Sequence, residues 1–395
     1  MKRVSEPASP RVSPLYNPKY RSIAYQLALS ALVVLLAYEV VSNAIENLAR
    51  AKIATGFGFW NVTAGFDISQ TLIEYSAQGS TYGRAFWVGL LNTLLVAGIG
   101  IALATLLGFV VGVARLSRNW IISRLAGGYI EIIRNIPLLL QLLFWYNAVL
   151  KTLPEMHHSL MLRGGIYLNN RGLFLPKPIF EAGSGFVFEA LIAALIAAIA
   201  LYIFSVRRQK KNGKRPPMMA AIFALLMGFP VLAFLVAGMS IGFEFPESGR
   251  FNIHGGIEIL PELVALLFGL SIYTAAFIAE AVRAGINAVL KGQTEAAYAL
   301  GLRPGATLRL IVIPQAMRVI VPPLTNQYLN LTKNSSLAVA IGYPDFVQIF
   351  TGTVLNQTGQ AIEVVALTMA VYLTISLVTS SLLNWYNARI ALVER

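Results

Sequence analysis

The sequence predicts an all-α polytopic membrane protein with about eight transmembrane helices. Of its 395 residues, 56% are hydrophobic and only 12% are charged, whereas a soluble domain carries roughly a quarter charged residues. Apolar runs of about 20 residues, the length that crosses a bilayer as a helix, recur along the chain. Only helices and closed barrels satisfy their backbone groups in lipid, and these runs are too long for barrel strands.

The predicted spans are separated by short polar segments. They cover residues 23–43, 86–114, 135–153, 186–206, 218–240, 259–285, 319–342 and 362–386. The first span contains Gln26 and Glu39, follows a long polar leader, and precedes no prompt small-residue cleavage site. We therefore interpret it as an uncleaved anchor helix and not as a signal peptide.

Lysine and arginine predict the orientation, because short cytoplasmic loops carry an excess of both. With the N-terminus inside, the inside segments contain 22 of the 31 basic residues. The run RRQKKNGKR (207–215) between spans four and five supplies six of them. Both termini are therefore predicted to be cytoplasmic. The net charge of +13 is spread over these short segments, unlike the basic face of a nucleic-acid-binding protein.

The sequence lacks the residues needed for disulfides, for thiolate chemistry, for a phosphate-binding loop and for a predictable metal site. The absence of cysteine excludes disulfides and thiolate chemistry. The GKR triplet at 213–215 lacks both the upstream glycine and the Ser or Thr of a phosphate-binding loop. His157, His158 and His254 are too few to predict a metal site. We expect no catalytic residue, metal site or cofactor in this chain.

A helical hairpin is predicted at residues 295–315, EAAYALGLRPGATLRLIVIPQ. Its first helix is expected to use Thr294 as N-cap, with Glu295 favouring the N-terminus. Gly301 suits the left-handed conformation that ends a helix. The small apolar face consists of Ala296, Ala297 and Leu300.

The second arm of the hairpin begins after a break in the chain. Pro304 can start a new turn, and Leu308, Ile311 and Val312 recur at helical spacing until Pro314. A hairpin on the predicted inside, with small residues on one face, suits docking into a partner's groove.

This spacing resembles the EAA loop of ABC importer permeases. The matching residues are Glu295, Ala296, Ala297, Gly301, Ile311, Ile313 and Pro314. The resemblance implies that they couple the permease to an ATPase. An isolated EAA triplet would be uninformative, but the full spacing between two spans is specific.

The flanking sequences are similar to polar amino-acid permeases of the histidine and glutamine type. The similar segments are residues 90–100, 131–146, 273–293 and 322–342. The first span and residues 154–258 lie outside this resemblance. The longer permeases of general L-amino-acid transporters resemble this chain in having such an insertion.

The resemblance implies a five-helix type I permease core, extended by an N-terminal helix and an inserted helix pair. The predicted divisions are a cytoplasmic tail (1–22), an extra span with a periplasmic loop (23–85), the first core part (86–153), an insertion with two spans (154–258), and the second core part (259–395), which contains the EAA loop (286–317).

The same resemblance implies an importer of L-amino acids in the bacterial inner membrane that works by alternating access. Its implied partners are two ATPase subunits carrying ATP and Mg²⁺, a second and non-identical permease, and a periplasmic amino-acid-binding protein. Two alternatives stay open: a permease for another small polar solute, and an ion-coupled secondary transporter. The sequence does not specify which amino acids are carried, whether the binding protein selects them, or whether the chain pairs with itself.

Polar residues inside predicted spans are candidates for a substrate path. Glu280 and Arg283 are spaced to pair with each other, which is compatible with a gating role. The remaining candidates are Gln141, Asn326, Asn330, Lys333 and Asn334. Asn326, Asn330, Lys333 and Asn334 share one helical face, which either lines a water-filled path or hydrogen-bonds to neighbouring helices.

Overall fold

The structure is a computed structural model that describes residues 18–50, 55–179, 184–212, 218–236, 242–249 and 253–390. Most of the predicted tail 1–22, part of the basic run 207–215, and Arg395 lie outside the described residues. The described helices are α1 (Pro18–Arg50), α2 (Tyr82–Arg115), α3 (Trp120–Asn135), α4 (Leu138–Leu143), α5 (Ser184–Asn212), α6 (Met219–Val236), α7 (Pro261–Asn287), α8 (Lys291–Ala299), α9 (Pro304–Thr307), α10 (Ile313–Asn334), α11 (Leu355–Thr358) and α12 (Ala361–Ile390).

The predicted helical membrane fold is confirmed, and the count of eight spans is approximate. Within the described residues, five helices are long and apolar enough to cross a membrane: Tyr20–Asn43, Tyr82–Arg115, Pro261–Asn287, Pro304–Ile341 and Ala361–Trp385. A bent pair, Trp120–Asn135 with Leu138–Leu150, would make a sixth span. The inserted helices contribute shorter apolar stretches, Glu189–Ser205 and Ala220–Leu235.

The third span differs from its prediction. Residues 135–153 were expected to form one helix after a loop, but α3 already begins at Trp120. Asn119 caps α3, since its side chain accepts from the backbone N–H groups of Ile121 and Ile122. The chain then bends by 106° before Leu138. Pro137 causes the break, because it lacks an N–H and forces Ile136 into an extended conformation.

The seventh span is also longer than predicted. We expected the hairpin's second arm to end at Pro314 and the span to begin at residue 319. Instead, one helical path runs from Pro304 to Ile341. A π-helical segment, Leu308–Val312, joins α9 to α10. Pro314 follows this π-helical segment directly, so the N–H that proline lacks falls where the regular α-helical hydrogen-bond pattern is already interrupted.

Short strands form between residues 160 and 179 and between residues 242 and 259, on either side of the inserted helices. The strands are β1 (Leu160–Leu162), β2 (Ile166–Asn169), β3 (Gly172–Leu175), β4 (Lys177–Ile179), β5 (Gly242–Glu244), β6 (Glu247–Ser248), β7 (Ile253–His254) and β8 (Ile257–Ile259). One antiparallel sheet has the order β1-β2-β3-β8, and β4-β5 and β6-β7 form separate pairs. Gly164 and Gly165 have φ of +90° and +72°, which permits the tight turn between β1 and β2.

The chain divides into two compact units, each described by itself. Residues 1–91 with 346–377 form the smaller unit, and residues 92–345 with 378–395 form the larger one. In the larger unit α7 is the most buried helix, and it packs against α3, α4 and α10. Its Leu266, Leu270 and Ile278 are fully buried. The predicted domain divisions remain a prediction.

The smaller unit has an aromatic core. The rings of Phe346 and Phe350 stack with their centroids 4.7 Å apart, and Phe86 meets both edge-on. The Tyr75 hydroxyl donates to the backbone oxygen of Phe66 at 2.9 Å. Burial, followed by the nearby Asp67 carboxylate, raises the pKa of Tyr75 to about 12. Tyr75 is therefore a neutral donor at physiological pH.

Candidate coupling hairpin and intramembrane polar residues

The first arm of the hairpin is α8, and it starts earlier than predicted. Leu290 occupies the N-cap position with extended backbone angles, and the helix begins at Lys291. Thr294 is therefore not the N-cap. Glu295 is the fifth residue of α8 and lies beyond its first turn, where the helix dipole has little influence.

The end of α8 follows the prediction closely. Gly301 adopts the left-handed conformation with φ of +75°. Its N–H donates to the backbone oxygen of Tyr298, and the N–H of Leu302 donates to that of Ala297. These two bonds form a Schellman motif, which satisfies carbonyl groups left free at the helix end. Pro304 is the first residue of α9, as predicted.

The hairpin exposes large apolar side chains. Leu300 is 83% exposed and Leu290 is 74% exposed, and Tyr298 is about half exposed. Of the predicted apolar face, Ala297 is buried, whereas Ala296 and Leu300 are exposed. The arms are joined by a hydrogen bond from Gln315 Nε2 to Gln293 Oε1 at 3.3 Å.

The other residues of the predicted motif lie on the same hairpin. Glu295, Ala296, Ile313 and Pro314 are exposed, and Ile311 is half-buried. The arrangement thus presents a carboxylate beside apolar surface. Such a surface on a helical protrusion suits insertion into a groove of another protein.

Glu280 and Arg283 form the predicted ion pair on α7. The guanidinium donates twice to the carboxylate, from Nη2 to Oε1 at 2.6 Å and from Nε to Oε2 at 3.0 Å. The two side chains are about one-third exposed. The pairing is confirmed, and the substrate role of Glu280 stays a prediction.

Gln141 has a structural function that its place in an apolar run did not reveal. Its Nε2 donates to the backbone oxygens of Ile133 and Ile136, both at 2.9 Å. Gln141 is buried, with only 6% of its surface exposed. It therefore satisfies carbonyl groups released by the break before Leu138, which a sequence pattern alone could not indicate.

The polar stripe of α10 lies largely on the surface of this chain. Asn326, Asn330 and Lys333 are exposed, and Asn334 is half-buried. The hydrogen bonds described for Gln141 and Glu280 go to α3 and α7, and not to this stripe. Within the part of the chain that the structure describes, no direct hydrogen bond therefore joins the α10 stripe to Gln141 or Glu280.

Sequence reasoning missed a contact at the opposite end of α7. The Tyr146 hydroxyl donates to Glu262 Oε1 at 2.7 Å, which connects the bent pair to the first turn of α7. The Lys151 ammonium lies 4.5 Å from the Tyr146 ring centroid. Glu262 near the start of a predicted span was the available signal, but its pairing with Tyr146 depends on the fold.

Comparison with known proteins identifies the family. Residues 104–392 match the family described as binding-protein-dependent transport system inner membrane component. The chain is 51% identical to the general L-amino acid transport system permease protein AapQ of Rhizobium johnstonii, over 97% of this chain and 95% of that protein. It is 50% identical to the putative amino-acid ABC transporter permease YhdX of Escherichia coli, over 96% of both.

A third relative and a solved structure are also similar to this chain. The glutamate/glutamine/aspartate/asparagine permease BztB of Rhodobacter capsulatus is 42% identical over 96% of each chain. A crystal structure of an amino acid ABC transporter with histidines is similar over 78% of this chain and 95% of its own, with 22% identity and a TM-score of 0.47. The chain belongs to the family of inner-membrane components of binding-protein-dependent transport systems.

Proposed function

We propose that this chain is the permease subunit of an ATP-driven importer that carries L-amino acids across the bacterial inner membrane by alternating access. The observation that carries the proposal is the 51% identity to a permease named for general L-amino acid transport, over 97% of this chain. The matched region includes the insertion at residues 154–258, so the similarity is not limited to the permease core.

We infer the partners from the family of the chain, whose members belong to binding-protein-dependent transport systems. Its sequence has no phosphate-binding loop, so we assign ATP and Mg²⁺ to two partner ATPase subunits. A periplasmic amino-acid-binding protein would deliver the cargo, and a second, non-identical permease would complete the pathway. The distribution of basic residues favours cytoplasmic termini.

We assign coupling to the hairpin of residues 295–315. Its exposed Leu300, Tyr298 and Leu308 offer apolar surface, and Glu295 offers a charge beside it. The second arm begins at Pro304 and is the first part of the membrane-spanning helical path Pro304–Ile341. Movement of the ATPase surface would therefore tilt a transmembrane helix directly. Different contacts in the two states must supply the coupling free energy.

Replacing Glu295 tests this assignment. The full complex is reconstituted with the binding protein, and ATPase activity is measured with each amino acid added in turn. Glu295→Ala is expected to lower substrate-stimulated ATPase activity by about tenfold, the effect of losing a charged contact. Helix stability should change little, because Glu295 lies outside the first turn of α8.

The matched control is Lys291→Ala, an exposed charge on the same helix outside the motif. Its stimulated activity should equal that of the unaltered protein. Full stimulation in Glu295→Ala would remove the coupling role of this residue. If no amino acid stimulates the unaltered complex, the assignment of cargo is wrong.

The polar stripe of α10 is our proposed substrate path, with Gln141 and Glu280 as further members. A zwitterion's carboxylate would suit Lys333, and its ammonium would suit Glu280 or the amide oxygens of Asn326 and Asn330. A row of exposed polar groups on a spanning helix needs water or another protein beside it.

Lys333→Ala is expected to lower uptake by about tenfold through the loss of one charge-assisted contact. Uptake of labelled amino acid into proteoliposomes measures this, and Lys333→Arg is the control that keeps the charge. Unchanged transport by Lys333→Ala would exclude the residue from the path.

A further inference from the structure

A polar cleft of about 530 Å³ lies in the larger unit, near the ends of α2, α3 and α7. Its charged lining residues are Arg115, Glu131, Arg134, Glu280 and Arg283, and Phe277 forms an apolar wall. Arg115 is the last residue of α2, and Arg134 is the last but one of α3. Arginine at the ends of membrane helices is typical of the headgroup level of a bilayer.

The guanidinium groups in this cleft are held in place. Arg115 Nη1 donates to the backbone oxygen of Ser123 at 3.3 Å and to its Oγ at 3.0 Å. The absence of a side chain at Gly127 makes room for Arg115, whose Nε would lie only 3.0 Å from an added Cβ. The Arg134 guanidinium lies 5.0 Å from the ring centroid of Phe277. Such preorganisation lowers the entropic cost of binding.

The charges in the cleft favour a singly charged anion. Three arginines and two glutamates give a net charge of +1. Within the described residues, the close ion pair of this cleft joins Glu280 to Arg283, and no carboxylate forms one with Arg115 or Arg134. Two guanidinium groups therefore remain available for a ligand. Arginine binds phosphate oxygens with two parallel hydrogen bonds, which favours a phosphate group.

The helix α3 also exposes large apolar side chains that suit lipid. Along α3, Trp120 is 70% exposed, Leu125 is 71% exposed and Ile132 is 61% exposed. These large apolar side chains lie on the same helix that supplies Glu131 and Arg134. An amphipathic helix with this composition lies favourably between headgroups and acyl chains.

We infer that this cleft binds the phosphodiester headgroup of an anionic phospholipid, with Arg115 and Arg134 contacting the phosphate and the acyl chains lying along α3. Its lining shares Glu280 with the proposed substrate path but includes no residue of the α10 stripe or of the hairpin. Basic pockets between membrane helices bind anionic headgroups in this manner.

Lipid retention by the purified full chain tests the inference. Native mass spectrometry counts bound phosphatidylglycerol and phosphatidylethanolamine after titration in mixed micelles. The unaltered chain should retain phosphatidylglycerol in preference to phosphatidylethanolamine. Arg134→Gln should weaken that binding about tenfold, because one charge-assisted contact is lost.

Arg124→Gln is the matched control. Arg124 is exposed on the same helix, lies 5.9 Å from the Trp120 ring centroid, and does not line the cleft. The Arg124→Gln variant should bind phosphatidylglycerol as tightly as the unaltered chain does. Equal retention by Arg134→Gln, or an equal loss in Arg124→Gln, would overturn the inference.

Competition distinguishes lipid from soluble anions. Inorganic phosphate or a free amino acid at matched concentration should not displace the bound lipid, and displacement would identify a small-molecule site instead. If Arg134→Gln loses its thermal unfolding transition, Arg134→Lys replaces it as the test. This variant keeps the charge but loses the planar fork, so it should show a partial loss, and unchanged retention would contradict the proposal.

Discussion

Gly301 shows how one residue sets the geometry of the hairpin. At φ of +75° it lets the chain reverse after α8, and the N–H of Leu302 reaches the backbone oxygen of Ala297. Pro304 then starts the second arm five residues after Ala299, the last helical residue of α8, and Leu300, which precedes Gly301, is left exposed. The position of the proposed contact surface therefore depends on a conformation that only glycine adopts without strain.

Gly301→Ala is expected to destabilise the end of α8 by about 1–2 kcal/mol, the penalty of a Cβ in the left-handed region. Hydrogen exchange at the backbone amides of residues 301 and 302, measured with the protein in nanodiscs, reports this local opening. Gly292→Ala is the control, since Gly292 has neither positive φ nor a neighbour near its Cβ position. Equal exchange in the two variants would contradict the role of the backbone conformation.

At the scale of elements, the crossing of α2 and α7 depends on two small residues. A Cβ added to Gly108 would meet Ile278 and the backbone oxygen of Ala275, and one added to Gly112 would meet Val282 and the backbone oxygen of Ala279. Both glycines are buried. The spacing Gly-xxx-Gly therefore permits close contact between the two helices.

Gly112→Val is expected to destabilise the protein by about 1–3 kcal/mol, because the backbone of α7 cannot move aside easily. Thermal unfolding in detergent measures the loss. Gly98→Val on the same helix is the control, since nothing lies within 4 Å of its added Cβ, and its effect should stay within about 0.5 kcal/mol. A similar loss in both variants would mean that valine itself weakens α2.

For the whole molecule, orientation is the property that connects the hairpin to its partners. The hairpin surface can contact a cytoplasmic ATPase only if α8 faces the cytoplasm. The strands around Met161 would then face the periplasm, since the bent pair Trp120–Asn135 with Leu138–Leu150 separates that sheet from the basic segment containing Arg115 and Arg118.

The absence of cysteine makes this orientation directly testable. In intact cells, Met161→Cys should react with a membrane-impermeant maleimide, and Leu300→Cys should react only after the membrane is opened. Both side chains are well exposed, at 69% and 83%. Labelling of Leu300→Cys from outside would reverse the predicted topology and exclude the coupling role of the hairpin.

The sequence by itself determined the membrane class, most helices, and the presence of the hairpin at residues 295–315, although its first helix begins earlier, at Lys291. These features follow from composition, apolar length and the placement of glycine and proline, which act over a few residues. The Gly301 turn and the Glu280–Arg283 pair were predictable for the same reason, since each is a local contact.

Only the tertiary structure decided the features that join distant segments. The bend before Leu138 required Gln141 to supply donors, and the pairing of β3 with β8 brought together strands on either side of the inserted helices. The meeting of Arg115, Arg134 and Glu280 in one cleft likewise depends on how α2, α3 and α7 pack. The physical reason is that such contacts depend on the shapes of packed surfaces, which local sequence patterns do not specify.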